Sequence, residues 1–434
     1  MKHIIFYIFI LSSFIVLAQD TTDEDYFNND YLRYQNHTYK EYIKTIQLHK
    51  EGWEMTYPVI ALKTRDRLVL SFDDIETEVK SYSYTFVHCN AKWEPTNLLP
   101  NEYLDGFIEN EIKDYEFSFN TTYEYTHYKL TFPNDDIKLK ISGNYIIKVY
   151  LDYDKENIVL TRRFSIVEHK VEIKPTVKQA TIIDERKYSH EIDFTINHTG
   201  YNINDPFGEL TVVITQNNRW DNAKDDLKPL FIKDKELLYD YDYENVFKAG
   251  SEFRNFDIKS IRYQSQYISQ VEYVKPHYHV KLLSDEVRRF KVYFHEIDIN
   301  GRYYIKYQEG EDSNVEADYV YVYFTLPYDA PMIDGNFYVF GALSDWNFNN
   351  NNQMIYNFEK KAYQLKMLLK QGYYNYQYVY LQDGKTKADH TFIEGSHYET
   401  ENDYIIYVYH RGISSRYDKL IGFEIVNSIK KNLE

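Results

Sequence analysis

The sequence predicts an all-β protein built from tandem immunoglobulin-like or fibronectin-like β-sandwich modules. Three observations carry that prediction. Apolar residues recur with a period of two, as at Tyr82, Tyr84 and Phe86 and at Tyr128, Leu130 and Phe132, which puts them on one face of half-buried strands. The 434 residues hold 47 Tyr and 26 Phe against 15 Gly and 10 Pro, a composition that favours strands and broad amphipathic surfaces over disorder. Between residues 57 and 167 short alternating runs are separated by polar turns with no helical period, the spacing of a sandwich.

Met1-Lys-His, an apolar run over residues 4–17 and Val16-Leu-Ala18 predict a signal peptide at 1–18 cut after Ala18. No cysteine follows that cut to take a lipid, and no other apolar run approaches the length a helix needs to cross a bilayer, so an exported chain with no direct membrane span is expected. Residues 19–41 read as a flexible acidic leader, with Asp23-Glu-Asp25 and Asn28-Asn-Asp30 and no sustained period.

Residues 42–168 form the expected first sandwich. Leu68, Leu70 and Phe72 alternate, and Tyr145, Ile147, Val149 and Leu151 lead through a turn at 152–157 into a returning strand over 159–167. A single cysteine excludes an internal disulfide, so the cores must be large enough to do without one. Cys89 reads as a small buried hydrophobe, and His88 points to the opposite strand face, which argues against a Cys-His pair. The excursion over residues 90–114 carries Leu98, Leu99, Tyr103, Leu104 and Phe107. It is too apolar to dangle, so it either packs over an edge or meets a partner.

This first module holds an ordered set of motifs: His88-Cys-Asn90, Trp93, Glu102-Tyr-Leu-Asp-Gly-Phe107, Ser118-Phe-Asn-Thr121, Thr126-His-Tyr128, Phe132-Pro-Asn134 and Ser142-Gly-Asn-Tyr145. Their order resembles the plug protein family of the type IX secretion system of Bacteroidetes. The resemblance runs from about Tyr57 to near the C-terminus, is strongest between Leu68 and Phe164, and has weaker echoes at Phe253-Arg-Asn-Phe-Asp257 and Gly341. It implies a periplasmic envelope protein. One branch of the family closes the periplasmic mouth of the outer-membrane translocon barrel, which would make that barrel the partner and protein transport the setting.

A second β domain is expected over 169–330, with Ile192, Phe194 and Ile196 and then Leu210, Val212 and Ile214 alternating, and with further strands at 280–283, 290–294, 301–307 and 319–326. Pro327, Pro331 and Asp334-Gly335 mark a boundary. The third module, 331–434, opens on Phe337-Tyr-Val-Phe340 and Gly341-Ala-Leu-Ser-Asp-Trp346, which resembles early-set immunoglobulin-like modules, including starch-binding and glycogen-binding ones. Tyr374, Tyr376, Tyr378 and Tyr380 then share one face of a hairpin strand, as a packed aromatic ladder or as a sugar-stacking platform.

The net charge of -17 opposes nucleic acid and anionic membrane surfaces. His277-Tyr-His279 offers two imidazoles on one strand face but shows no third ligand nearby, so no metal is expected. Asp73-Asp74 are read as acids facing water at a strand end. With no Gly-x-Ser-x-Gly, Gly-rich phosphate loop or His-Glu-x-x-His, neither an enzyme nor a cofactor is expected. The expected function is therefore contact: a non-catalytic accessory that plugs the barrel, with Trp93, Leu98, Tyr103, Phe107 and Arg254 as candidate partner contacts. Arg254 either pairs with Asp257 or meets the partner, and Trp93 and Trp346 are either core anchors or exposed hot spots. The alternative is a glycan-binding envelope protein using Trp346, Tyr374 and Tyr376, a reading that needs Trp346 and one tyrosine face to be exposed.

Overall fold

The computed structural model describes residues 31–429. The expected signal peptide, most of the leader and the last five residues lie outside the described residues.

The first module is two facing sheets, as expected. One has the order His37–Thr38, Ile158–Val167, Gly143–Leu151, Tyr82–Cys89 and Asn110–Glu111, with Val59–Ala61 running parallel to Ile158–Val167. The other has the order Ile43–Lys50, Leu68–Asp74, Thr126–Phe132 and Asp114–Phe117. The alternating residues fill the space between the sheets: Phe72 stacks on its strand neighbour Tyr128 with ring centroids 5.3 Å apart, Tyr145 stacks on Phe164 at the same separation in the other sheet, and Phe86 meets Phe132 across the core at 5.0 Å. Cys89 is buried beside Trp93 and Ile146, and burial pushes its thiol up to about 12, as a packing residue requires.

The described end of the leader is not loose. His37 and Thr38 pair with Thr161 and Leu160, while the carbonyls of Tyr34 and Gln35 accept from Arg163 Nε and Thr161 Oγ1 at 2.8 and 2.7 Å. This segment covers a sheet edge with backbone groups, a role that its polar side chains do not announce.

The later modules depart from the expected boundaries. One sheet joins Glu172–Gln179, Ser189–Asn197, Glu236–Tyr239 and Phe231–Lys233, with Val246–Lys248 also on Ser189–Asn197. Facing it is a sheet of order Arg219–Leu227, Leu210–Gln216, Asp403–His410 and Lys419–Asn427. Leu210 lies opposite His410 and Gln216 opposite Tyr404, so the chain's last hairpin completes the second module. The third module is inserted within the second: Arg254–Asp257, Gly372–Gln382, Tyr303–Ile305 and Gly335–Phe340 face Ile268–Val274, His277–Leu282, Tyr319–Pro327, Ala362–Lys370 and Ile355–Asn357. The division at 330 and the self-contained module over 331–434 are therefore corrected. A period of two says which face of a strand is buried and nothing about which strand it pairs with.

Asp73 and Asp74 are buried and do not face water. Asp73 lies where the first and third modules meet. Its carboxylate takes His127 Nδ1 at 2.6 Å from its own sheet, and Lys370 Nζ at 2.7 Å and Tyr319 OH at 2.6 Å from the third module. Burial works to raise its pKa, but the Lys370 charge and the His127 hydrogen bond outweigh it and hold the carboxyl below its ordinary range. Asp74 accepts from Tyr82 OH at 2.7 Å and pairs with Lys80 at 2.9 Å.

Lys370→Met is expected to strand a buried carboxylate and cost about 3–5 kcal/mol in urea unfolding at pH 7. Because Asp73 is depressed in the folded state, its contribution is present above the unfolded value near 4 and lost as pH falls through the folded one, so the gap between parent and variant narrows in acid. A fragment of residues 331–434 is expected to show no cooperative thermal transition, since Asp403–His410 would lose Leu210–Gln216; a sharp two-state melt would restore the self-contained module.

Candidate docking surfaces

The excursion over residues 90–114 divides its apolar residues between core and solvent. Asn90 Oδ1 accepts from the backbone of Lys92 and Glu94, both at 2.9 Å, and closes the turn that tucks Trp93 inward to 5% exposure. Tyr103 is buried with its hydroxyl on the Phe86 carbonyl at 3.2 Å, and Leu98 packs against the same core. Those three expected contacts are structural. Phe107 is 69% exposed, with the adjacent Ile108 and, earlier in the excursion, Leu99 also exposed.

The sequence reading missed the strand that follows. Asp114–Phe117 is the last strand of its sheet, and its outer side has no partner strand among the described residues. Tyr115, Phe117 and Phe119 are all exposed, Phe117 at 59%. The available signal was their period of two outside any core, with Glu116 and Ser118 between them. An exposed aromatic edge strand is a template for contact with another chain.

A second exposed run occupies residues 290–297, where a strand was expected. The chain is not paired there as a strand. Phe290, Val292, Phe294 and Ile297 point outward, Val292 at 92% exposure, while the alternate residues are held to the module by polar contacts. Tyr293 OH donates to the buried Glu252, and Glu296 accepts from Asn255 Nδ2 at 2.9 Å and Tyr267 OH at 2.6 Å. Asp298 accepts from the backbone of Phe253 and Asn300. Burial, with the nearby Glu252 and Glu401 charges adding to it, pushes the Asp298 carboxyl up to about 7.

Arg254 meets neither Asp257 nor solvent. Its guanidinium holds Glu394 by two bonds, at 3.0 and 2.9 Å, and Asp285 at 2.8 Å. Arg288 adds a third donor to Glu394 at 2.7 Å. Burial works to raise the Glu394 carboxyl, but the two guanidiniums hold it down at about 2. Asp257 pairs with Lys259. Arg254 is thus a buried tie, and the carboxylates that hold it lie far along the chain, at residues 285 and 394.

The tyrosine ladder is core. Tyr374 and Tyr376 are each 2% exposed, and their hydroxyls donate to the Lys370 carbonyl and to Asp285. Tyr378 shares Asp285 at 2.6 Å. Trp346 is half-buried against Phe340 and Phe253, so the tyrosine half of the expected sugar platform has no open face. His277 stacks on Tyr123, and His279 Nδ1 lies 2.8 Å from Tyr323 OH. Glu191, Asp193 and Asp240 converge as metal ligands would, but Lys178 Nζ sits among them at 2.9, 2.5 and 3.5 Å and supplies the positive charge.

The raised Asp298 carboxyl makes stability pH-dependent in a stated direction. Between about pH 4 and 7 the folded state binds a proton that the unfolded state releases, so stability falls as pH rises through that window. Asp298→Asn is expected to remove on the order of 1–3 kcal/mol of the difference in unfolding free energy between pH 5 and pH 8. An unchanged pH profile would show that Asp298 titrates normally.

Comparison with known proteins bears on these surfaces. Residues 43–168 match the first domain of the Type 9 secretion system plug protein, a span that contains both the excursion and the aromatic edge strand. No curated protein matches the chain. The crystal structure of a hypothetical protein from Parabacteroides merdae is similar at 37% sequence identity with a TM-score of 0.88, over 92% of this chain and 100% of that one. The ordered motifs and the matched first domain, on a fold shared along nearly the whole chain with that homologue, place this protein in the type 9 secretion system plug protein family.

Proposed function

We propose that the chain is a non-catalytic periplasmic accessory of type IX secretion that docks on the periplasmic end of the outer-membrane translocon barrel and closes it when no substrate is engaged. The family match over residues 43–168 carries this reading. On that domain the docking surface is the exposed aromatic edge: Phe107 on the excursion, with Tyr115, Phe117 and Phe119 on and after the last strand. Aromatic side chains give large contact area for few rotatable bonds, as an interface core requires. The signal peptide exports the chain, and association with the outer membrane comes through the barrel. No helix among the described residues is long and apolar enough to cross a membrane.

A tagged version pulled from the native envelope in gentle detergent is expected to bring down the barrel, identified by mass spectrometry. Phe107→Asp with Phe117→Asp should cut that recovery about 30-fold or more, the loss of a hot spot worth about 2 kcal/mol, with the melting temperature unchanged. Absence of the barrel from the parent pull-down would overturn the plug reading. Full recovery with the double variant would move the docking surface elsewhere.

A further inference from the structure

The register of the edge strand Asp114–Phe117 fixes which of its atoms point away from the sheet. It runs antiparallel to Thr126–Phe132, with Tyr115 opposite Tyr128 and Glu116 opposite His127. One step further along the same register, Ser118 N–H donates to the Tyr125 carbonyl at 2.9 Å. In an antiparallel pair, residues bonded to the neighbour alternate with residues whose backbone groups face the other way. The backbone groups of Asp114 and Glu116 therefore face Thr126–Phe132. Those of Tyr115 and Phe117 point outward, with no hydrogen-bond partner among the described residues.

The side chains divide in the same way. Tyr115 lies on the face of Tyr128, a core residue, with ring centroids 5.7 Å apart, and Phe117 sits beside it at 6.0 Å. These two exposed rings continue the core face of the sheet past its last strand. Asp114 and Glu116 are exposed on the opposite face. Residues 105–119 hold five acids and one lysine, Lys113. Lys155 pairs with Glu109, and Lys129 lies opposite Asp114 in the register. Asp114 and Glu116 form no ion pair among the described residues.

A strand added to this edge has its chemistry set by both faces. On one it must bring apolar side chains opposite Tyr115 and Phe117, extending the roof of the core. On the other it must bring cations opposite Asp114 and Glu116. A second copy of this edge does not meet the second condition, because it would set acids against acids, and like charges directly opposite are destabilising. We propose that the edge takes an extended segment of a partner by strand addition, apolar at alternate positions and carrying lysine or arginine between them. Main-chain bonds to Tyr115 and Phe117 give the affinity and the alternate side chains the specificity. The inference rests on the reading of this edge as the docking surface and specifies what docks there.

The probe is a short synthetic peptide alternating lysine with valine, added to the chain from Gln19 onward with no barrel present. It is expected to bind saturably and to slow hydrogen exchange at the Tyr115 and Phe117 amides at least about ten-fold, leaving Glu116 unchanged. N-methylating the alternate set of peptide amides that faces the edge should weaken binding about ten-fold or more. N-methylating the other set should leave it intact. Asp114→Lys with Glu116→Lys, both exposed, should weaken the lysine peptide about ten-fold and admit a peptide with glutamate in place of lysine. Strand addition by a basic segment is overturned by no binding at millimolar peptide, by equal loss from both N-methylated sets, or by indifference to the two lysine substitutions. It is overturned equally if Tyr115 and Phe117 become protected in the chain alone as its concentration rises, the mark of a second copy. In any of these cases, a barrel pull-down that still depends on Phe117 would leave the docking surface standing and remove only this manner of docking. Peptide binding with the expected signatures, beside a pull-down indifferent to Phe107→Asp with Phe117→Asp, would keep strand addition and remove the barrel as its partner.

Discussion

The Asp73 carboxylate is the point on which the assembly of modules depends. A charge removed from water costs several kcal/mol, and this one is tolerated because a histidine from its own sheet and an ammonium and a phenol from another module converge on it. That requirement is geometric. The first module can meet the third only where Lys370 and Tyr319 both reach Asp73, so a buried ion pair of modest net worth sets orientation. The same seam is extended by Tyr125, whose hydroxyl donates to the Ala317 carbonyl at 2.8 Å, and by Tyr303, which reaches the Ile46 carbonyl at 2.8 Å. Arg162 and Asp345 continue it at 2.8 Å. Between the first and second modules Val59, Ala91 and Val167 pack against Val213, Ile405 and Leu420, and Tyr57 OH donates to Asp403 at 2.9 Å.

Tyrosine does in these cores, and at the Asp73 seam, what phenylalanine cannot. The largest fully buried side chains are all tyrosines, among them Tyr82, Tyr145, Tyr319 and Tyr378, and each of these four hydroxyls reaches a carboxylate or a backbone carbonyl. A ring that fills a core while its hydroxyl satisfies a buried acceptor meets both demands at once. Phenylalanine fills the same cores, as at Phe72, Phe132 and Phe337, but Phe107, Phe117, Phe119, Phe290 and Phe294 are exposed. Apolar rings without a polar handle in water, beside polar rings sealed in cores, mark those edges as surfaces for contact.

How much was legible depended on how local the signal was. The alternations at Phe72, Tyr145 and Ile192, and the inward turn of Cys89, follow from a period that needs no knowledge of the rest of the chain, and all four are buried. The excursion was legible in half: its apolarity showed that something must be covered, and Tyr103 and Leu104 are, while Phe107 is not. Arg254 was misjudged because its partners lie at residues 285 and 394. Asp114–Phe117 was passed over because an edge strand with neither face buried resembles a loop in its pattern.

By itself, then, the sequence determined the all-β class, the strands of the first sandwich with their buried faces, and the family to which the ordered motifs belong. These rest on local periodicity and on short motifs, which side-chain chemistry encodes in place. Only the tertiary structure decided that the last hairpin completes the second module, that Asp73 is a buried tie, and which aromatic residues are left in water. Backbone donors and acceptors are the same in every strand, so pairing is chosen by the packing of the whole chain. The exposure of a ring is likewise a property of what fails to cover it.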